Sequence, residues 1–121
     1  MSISIASENA YRTNMTPDLD SLCNLAVAAW VKTFPIEENL IRFLDTVDDA
    51  MRIVVESQSR HFIGTAEKFL WDWQEPIGET GHAKFSSALE TYLKSGFPWA
   101  EDQALRSARS FTRYCAWREG L

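Results

Sequence analysis

Apolar residues recur at steps of three and four along most of the chain, and this spacing predicts amphipathic α-helices. Only Ile3 and Ile5 alternate in the manner of a short strand, and no second strand is visible to pair with them. The pattern therefore predicts an all-α protein, a single-domain bundle of four to five helices. Residues 1–15 are expected to form a flexible N-terminal arm, and residues 16–121 the single helical domain.

The first predicted helix is apolar on nearly every side. Thr16 is its expected N-cap and Pro17 its first helical residue, and the helix is expected to end near Phe34 and Pro35. Its polar edge is narrow and consists of Asp20, Asn24 and Lys32. Because a helix that is apolar all round must be covered by its neighbours, we expect the bundle to pack around this central first helix.

A second, long helix is predicted over residues 36–62, closed by Gly64. Weak helix propensity at residues 57–59 marks a candidate break within it. A short third helix is expected to begin with Thr65 as its N-cap and to end before Pro76. Glycine and proline thus define the predicted boundaries in this half of the chain.

The fourth predicted helix covers residues 83–95, with Glu90 and Lys94 as an i, i+4 ion pair on its outer side. The fifth runs over residues 98–120. Its expected core face is formed by Ala104, Ala108, Phe111 and Cys115. Trp99, which follows a proline corner, is expected to fasten the fourth helix to the fifth.

Composition narrows the classes of function. The 121 residues include 12 Lys and Arg against 17 Asp and Glu, a net charge of −5 that argues against sequence-independent binding to nucleic acid or anionic lipid. No apolar run reaches the roughly 18 residues of a membrane span, and no secretory signal is visible, so a cytoplasmic protein is expected. Cys23 and Cys115 are expected to be buried and reduced, with a disulfide between them as the alternative.

The start of the second predicted helix is strongly acidic. Its carboxylates are Glu37, Glu38, Asp45, Asp48 and Asp49. Arg42 is the only basic residue among them, which leaves a local net charge of −4. One interpretation is an ordinary solvated face, in which Asp48, Arg52, Glu56 and Arg60 form a ladder of i, i+4 pairs. That ladder does not cover the acidic start, where Asp45 and Asp49 repel each other, so a docking surface for a basic partner is the alternative. Acidic side chains alone also suit Mg²⁺ or Ca²⁺, although the spacing is not that of a calcium loop.

The outer face of the fifth predicted helix carries the opposite charge. Arg106, Ser110, Arg113 and Trp117 lie opposite the core face, with Arg109 beside them. These arginines either pair with acids of neighbouring helices, with Arg113 stacked on Trp117, or form a self-association seam, because Arg and Trp dominate interface energetics. Phosphate recognition by the three arginines is a further alternative, although the net charge opposes a long polyanion.

Signals for catalysis are weak. The chain has no GxSxG elbow and no P-loop, and neither cysteine has a neighbouring histidine in sequence. A metal-dependent hydrolase is conceivable only if His61, Glu67, Asp72 and His82 come together, and no metal or cofactor is otherwise indicated. His61 is expected to cap the end of the second helix.

Two of the five tryptophans, Trp71 and Trp117, are not on predicted inner faces and are candidate contact residues, whereas Trp30 and Trp73 fall on core stripes. Taken together, the sequence favours a non-enzymatic, acidic helical protein that docks and inhibits a basic partner protein, as immunity-type or phage-type antagonists do. Trp71 is the candidate anchor beside the five carboxylates. The alternatives are a self-associating regulator, as a homodimer through the arginine face, and a small metal-dependent hydrolase.

Overall fold

The computed structural model describes residues 18–78 and 80–121, and these residues form five α-helices without a β-strand. The helices are α1 (Leu19–Trp30), α2 (Glu37–Leu44), α3 (Asp49–Trp71), α4 (His82–Gly96) and α5 (Asp102–Glu119). This confirms the prediction of an all-α single-domain bundle. The predicted arm and the predicted N-cap and first residue at Thr16 and Pro17 lie outside the described residues.

The first helix is central, as predicted. Helix α1 packs against α2, α3 and α5, whereas α4 reaches only α3 and α5. Its Ala26 and Val27 are completely buried, because neighbours cover it on three sides. Within the described residues the helix begins after Asp18, whose carboxylate accepts a hydrogen bond from the Ser21 N–H (2.8 Å). It ends at Trp30, a few residues earlier than the proline predicted.

The prediction of a helix over residues 36–62 followed by a short third helix is wrong. The chain turns at residues 45–48 instead, and α3 then continues without interruption through Gly64 and Thr65. The turn satisfies its own polar groups, since the Thr46 hydroxyl donates to the Phe43 carbonyl (2.7 Å). It also buries Val47. Because the helix is broken at this point, both α2 and α3 pack against α1.

Gly64 does not end a helix because the turn that follows it buries Ala66 and Leu70. The intrinsic preference of about 1 kcal/mol against glycine in a helix is smaller than the gain from burying a leucine, about 1.5–3 kcal/mol.

Substitution of Gly64 by alanine is therefore expected to stabilise the protein by about 0.5–1 kcal/mol, because it removes unfolded-state entropy without introducing a clash. A Cβ atom at this exposed, mid-helix position meets no other atom within 4 Å. The urea midpoint measures the change. Gly120→Ala is the matched control and should lower the urea midpoint. Gly120 ends α5 at φ 75°, where a residue with a Cβ is strained. A lower midpoint for Gly64→Ala would contradict a continuous α3.

Asn24 was predicted on the polar edge of the first helix, and this is wrong, because it is only 4% exposed. Its Nδ2 donates to the Trp99 carbonyl (2.7 Å) and its Oδ1 accepts from the Glu101 N–H (2.7 Å). The connection between α4 and α5 is thereby fixed to α1. Trp99 lies in this connection as predicted, but its indole N–H donates to Gln58 of α3 (3.0 Å), so it fastens the connection to α3.

Core positions on α5 are confirmed, since Ala104, Ala108, Phe111 and Cys115 are all buried. The two thiols are buried and are not joined to each other. Burial, with a smaller contribution from Asp20, raises the pKa of Cys23 to about 11. Burial also raises the pKa of Cys115. Both side chains therefore behave as small protonated hydrophobes.

Trp30 is buried as predicted, and Trp73 is partly buried against Phe85. The predicted pair between Glu90 and Lys94 does not form. Glu90 instead accepts from Arg109 of α5, and Lys94 donates to the Pro98 and Ala100 carbonyls of the α4–α5 connection. No helix in the described part of the chain is both long and apolar enough to cross a membrane.

Candidate functional site

The five predicted acidic residues are all exposed, but they do not share one helix face. Glu37 and Glu38 are in the first turn of α2, and Asp45 caps its C-terminus. Asp48 is the N-cap of α3, and Asp49 its first residue. The prediction of a continuous acidic helix is therefore corrected to two helix ends and the turn that joins them.

Glu37 is already engaged inside the protein. Arg60 of α3 donates to both of its carboxylate oxygens, and the Arg60 Nε also donates to Glu56 (2.9 Å). These hydrogen bonds from Arg60 lower the pKa of Glu37. The guanidinium also lies over the ring of Trp30, 5.4 Å from its centroid. Glu37 thus links α2 to α3, and the predicted Glu56–Arg60 rung of the ladder is confirmed.

The carboxylates Asp45, Asp48 and Asp49 form what we call the acidic corner. Asp49 pairs with Arg52 (3.0 Å), and Arg52 also donates to the Val47 carbonyl (3.1 Å), so the predicted Asp48–Arg52 and Arg52–Glu56 rungs do not form. Within the described residues, Asp45 and Asp48 have no ion pair. The predicted helical repulsion between Asp45 and Asp49 is wrong, because the helix breaks between them.

Asp45 is electrostatically misplaced for stability. It caps the C-terminus of α2, where the helix dipole is negative, and a carboxylate at such an end costs about 0.3–1 kcal/mol. Two more carboxylates follow within four residues. Asp48 and Asp49 differ in this respect, since they begin α3, where the dipole favours negative charge. The helix dipole therefore does not account for a carboxylate at position 45.

An apolar cleft of about 340 Å³ opens beside the acidic corner. Its lining residues are Leu22, Leu25, Phe43, Thr46, Val47, Asp48 and Met51. Exposed apolar side chains also flank the corner: Ile53 is 76% exposed one turn after Asp49, and Ile41 is 49% exposed one turn before Asp45. The turn at residues 45–48 brings apolar residues of α1, α2 and α3 together at this surface.

Trp71, the predicted anchor, is exposed as expected, but it lies at the other end of α3. The 22 residues that separate it from Asp49 span about 33 Å of helix. Its indole N–H donates to Glu67 (3.4 Å). The prediction that Trp71 and the acidic residues share one surface is therefore wrong.

The arginines of α5 are in three different situations. Arg106 pairs with Asp102 in its own helix, and Arg109 pairs with Glu90 of α4. Arg113 has no ion pair within the described residues. The predicted stacking of Arg113 on Trp117 is wrong, because Trp117, 76% exposed, packs against Tyr114 instead (centroids 6.1 Å apart).

Two adjoining clefts border this face of α5, and both are lined by His82, Ser110 and Arg113. The first, about 250 Å³, adds Ser86, Arg106 and Arg109. The second, about 630 Å³, adds apolar and aromatic groups that include Ile77, Tyr114 and Trp117. Gly81 precedes His82, and a Cβ there would clash with the Ile77 carbonyl oxygen, so glycine permits the tight turn that brings Ile77 and His82 to this surface.

The predicted metal set is not assembled. His61 lies inside α3, where its ring packs edge-on against Phe97 (5.1 Å), and it does not cap a helix end as predicted. His82 begins α4. Across residues 18–78 and 80–121, no three His, Cys, Asp or Glu side chains are grouped so that they could hold a metal ion.

No protein-family model, curated protein or solved structure matches this chain. Any functional proposal therefore depends on the charge, exposure and shape of its own surfaces.

Proposed function

We propose that this chain is a non-enzymatic binding protein that docks a basic partner protein through the acidic corner and blocks the partner's cationic surface. The observation that carries the proposal is the exposure of Asp45, Asp48 and Asp49 beside an apolar cleft that Asp48 lines. We also propose that the protein is cytoplasmic, because its two cysteines are buried, protonated thiols that do not form a disulfide.

The acidic corner supplies the electrostatic part of such an interface. Arg52 is the one described cation paired with it, and its partner Asp49 is 90% exposed, so a surface pair of this kind contributes about 0–1 kcal/mol and is easily exchanged. A lysine or arginine of the partner would pair with Asp45, which has no ion pair among the described residues. Opposite charge accelerates encounter and makes binding sensitive to salt.

The apolar cleft supplies the lasting part of the affinity. Leu25, Phe43 and Met51 line it, and Leu25 remains 39% exposed. An apolar side chain of the partner that fills this cleft would be ringed by salt links to the corner. That arrangement, with an apolar centre and a charged rim, is typical of protein interfaces. We therefore expect the partner to present an apolar residue next to lysines or arginines.

The combined change of Asp45, Asp48 and Asp49 to lysine is expected to weaken partner binding by about 100-fold or more, equivalent to about 3 kcal/mol. The reason is that three attractive contacts become repulsive. Tagged wild-type protein should retain a stoichiometric basic protein from native lysate at low salt and less of it at high salt, and the variant should retain none. Calorimetry with the purified partner then gives the affinities.

The matched control reverses Glu67, Asp72 and Glu75, which are exposed acids at the far end of the bundle, and so produces the same change in net charge. Full binding by the control together with loss in the corner variant localises the interface. Equal loss in both variants, or unchanged binding by the corner variant, would contradict the proposal. Met51→Ala tests the cleft separately, because its effect should persist at high salt.

A further inference from the structure

The clefts along α4 and α5 combine two kinds of surface that a small organic anion requires. On α5, Arg106, Ser110 and Arg113 follow one another at steps of four and three, so they share a helix face. On α4, His82 and Ser86 are one turn apart and line the same cleft. The cleft therefore has hydroxyl groups on both walls and arginines on the α5 wall.

Arg113 is the group available to a ligand. Arg109 is neutralised by Glu90, and Arg106 is paired with Asp102 at the surface. Arg113 is exposed, has no ion pair in the described chain, and borders both clefts. None of the described residues that line the two clefts is aspartate or glutamate. In a chain with a net charge of −5, the arginines along these clefts make a local cationic surface.

The second cleft adds a flat, apolar wall to this cationic group. Tyr114 and Trp117 pack against each other, and Phe34 stacks on Tyr114 with ring centroids 5.7 Å apart, so Tyr114 is held in place. Ile77, which is buried, adds an aliphatic surface. The larger cleft, about 630 Å³, is within the range of about 300–1,000 Å³ that ligand sites enclose, and the smaller one, about 250 Å³, adjoins it.

We propose that the joined clefts bind a small organic anion, in which a phosphate or carboxylate group is carried on a flat apolar ring. Arg113 contacts the anion through its planar donor fork, and Ser110 and Ser86 donate hydroxyl hydrogen bonds to it. The ring lies against Trp117 and Tyr114. The two clefts contain no residue of α2 or α3, so this site is separate from the acidic corner and does not depend on the proposed function.

The test is a calorimetric titration of the full chain with phenyl phosphate, with benzoate and with inorganic phosphate. Phenyl phosphate or benzoate is expected to bind with a Kd of about 1 mM or tighter. Whichever of the two binds more tightly identifies the anionic group. Inorganic phosphate should bind more weakly than phenyl phosphate, because it lacks the ring, and Trp117→Ala should remove that difference.

Arg113→Gln is expected to weaken phenyl phosphate binding by about tenfold or more, since hydrogen bonds to charged groups contribute about 1.5–3 kcal/mol. Arg42→Gln is the matched control. It makes the same change in charge on α2, which packs on neither α4 nor α5, and it should leave the affinity unchanged. Because Arg113 and Trp117 are exposed, Arg113→Gln and Trp117→Ala should each keep the wild-type melting temperature.

Three results would overturn the proposal. One is the absence of binding by either aromatic anion at concentrations of about 10 mM, ten times the expected Kd. The second is an equal loss of affinity in Arg42→Gln and Arg113→Gln, which would indicate diffuse attraction by net charge. The third is a wild-type solution mass of two chains that halves in Trp117→Ala, which would show that a second copy of this chain covers the site.

Discussion

Replacement of Phe62 by alanine is expected to destabilise the protein by about 3–5 kcal/mol. Phe62 of α3 is completely buried. Its ring packs edge-on against Phe97 (5.2 Å) and lies tilted against Trp99 (5.1 Å), the two aromatic residues of the α4–α5 connection. Truncation leaves a cavity at the point where α3 meets that connection, and the neighbouring rings, which are held by other contacts, cannot collapse into it.

Urea unfolding followed by far-ultraviolet circular dichroism measures the effect. With an m value of about 1–3 kcal/mol/M, the midpoint should fall by more than about 1 M. Phe34→Ala is the matched control, because Phe34 is 48% exposed and has one aromatic contact, with Tyr114. If the two variants lose the same stability, Phe62 is not the centre of this aromatic cluster.

Asn24→Ala is expected to destabilise the protein by about 2–4 kcal/mol, a large effect for a polar side chain in a helix. Asn24 donates to the carbonyls of Asp20 (2.9 Å) and Trp99 (2.7 Å) and accepts from the Glu101 N–H (2.7 Å). Removal of the amide leaves backbone groups of the α4–α5 connection without partners in a largely buried place. Buried backbone groups without partners are destabilising, because they lose the hydrogen bond to Asn24 and cannot form one to water instead.

Two further variants separate the amide chemistry from packing. Asn24→Leu preserves volume and should be as destabilising as Asn24→Ala, because it restores none of the hydrogen bonds. Asn39→Ala on α2 is the control, since its amide oxygen only meets Arg42 at the surface (3.5 Å) and should change stability little. Full stability of Asn24→Leu would show that burial, and not hydrogen bonding, is what the position requires.

The two proposed sites have opposite charge and lie on different helices. The acidic corner is at the α2–α3 turn, and the arginine-lined clefts run along α4 and α5. The protein thus has a local cationic surface, although its net charge is −5. Binding of an anion at α5 and of a basic protein at the corner should therefore be independent of each other, which calorimetry with both ligands present would measure.

The hydrophobic pattern by itself determined the class of fold. The apolar set around α1 predicted a central helix, and the α5 stripe of Ala104, Ala108, Phe111 and Cys115 was correct at every position. These predictions succeed because a helix must bury a stripe of fixed period, whatever its neighbours are. Exposure of Trp71, Trp117 and the five acidic residues followed from the same rule.

Tertiary structure decided where the helices break and which side chains meet. The turn at residues 45–48 carries no glycine or proline, so its sequence gives no strong local signal. It forms because α2 and α3 both bury apolar surface on α1. Burial of apolar residues is also the reason that α3 continues beyond Gly64. Pairings such as Arg109 with Glu90, and Asn24 with Glu101, join residues 19 and 77 positions apart. Such pairs depend on how the helices pack in space, whereas helical periodicity relates only residues a few positions apart.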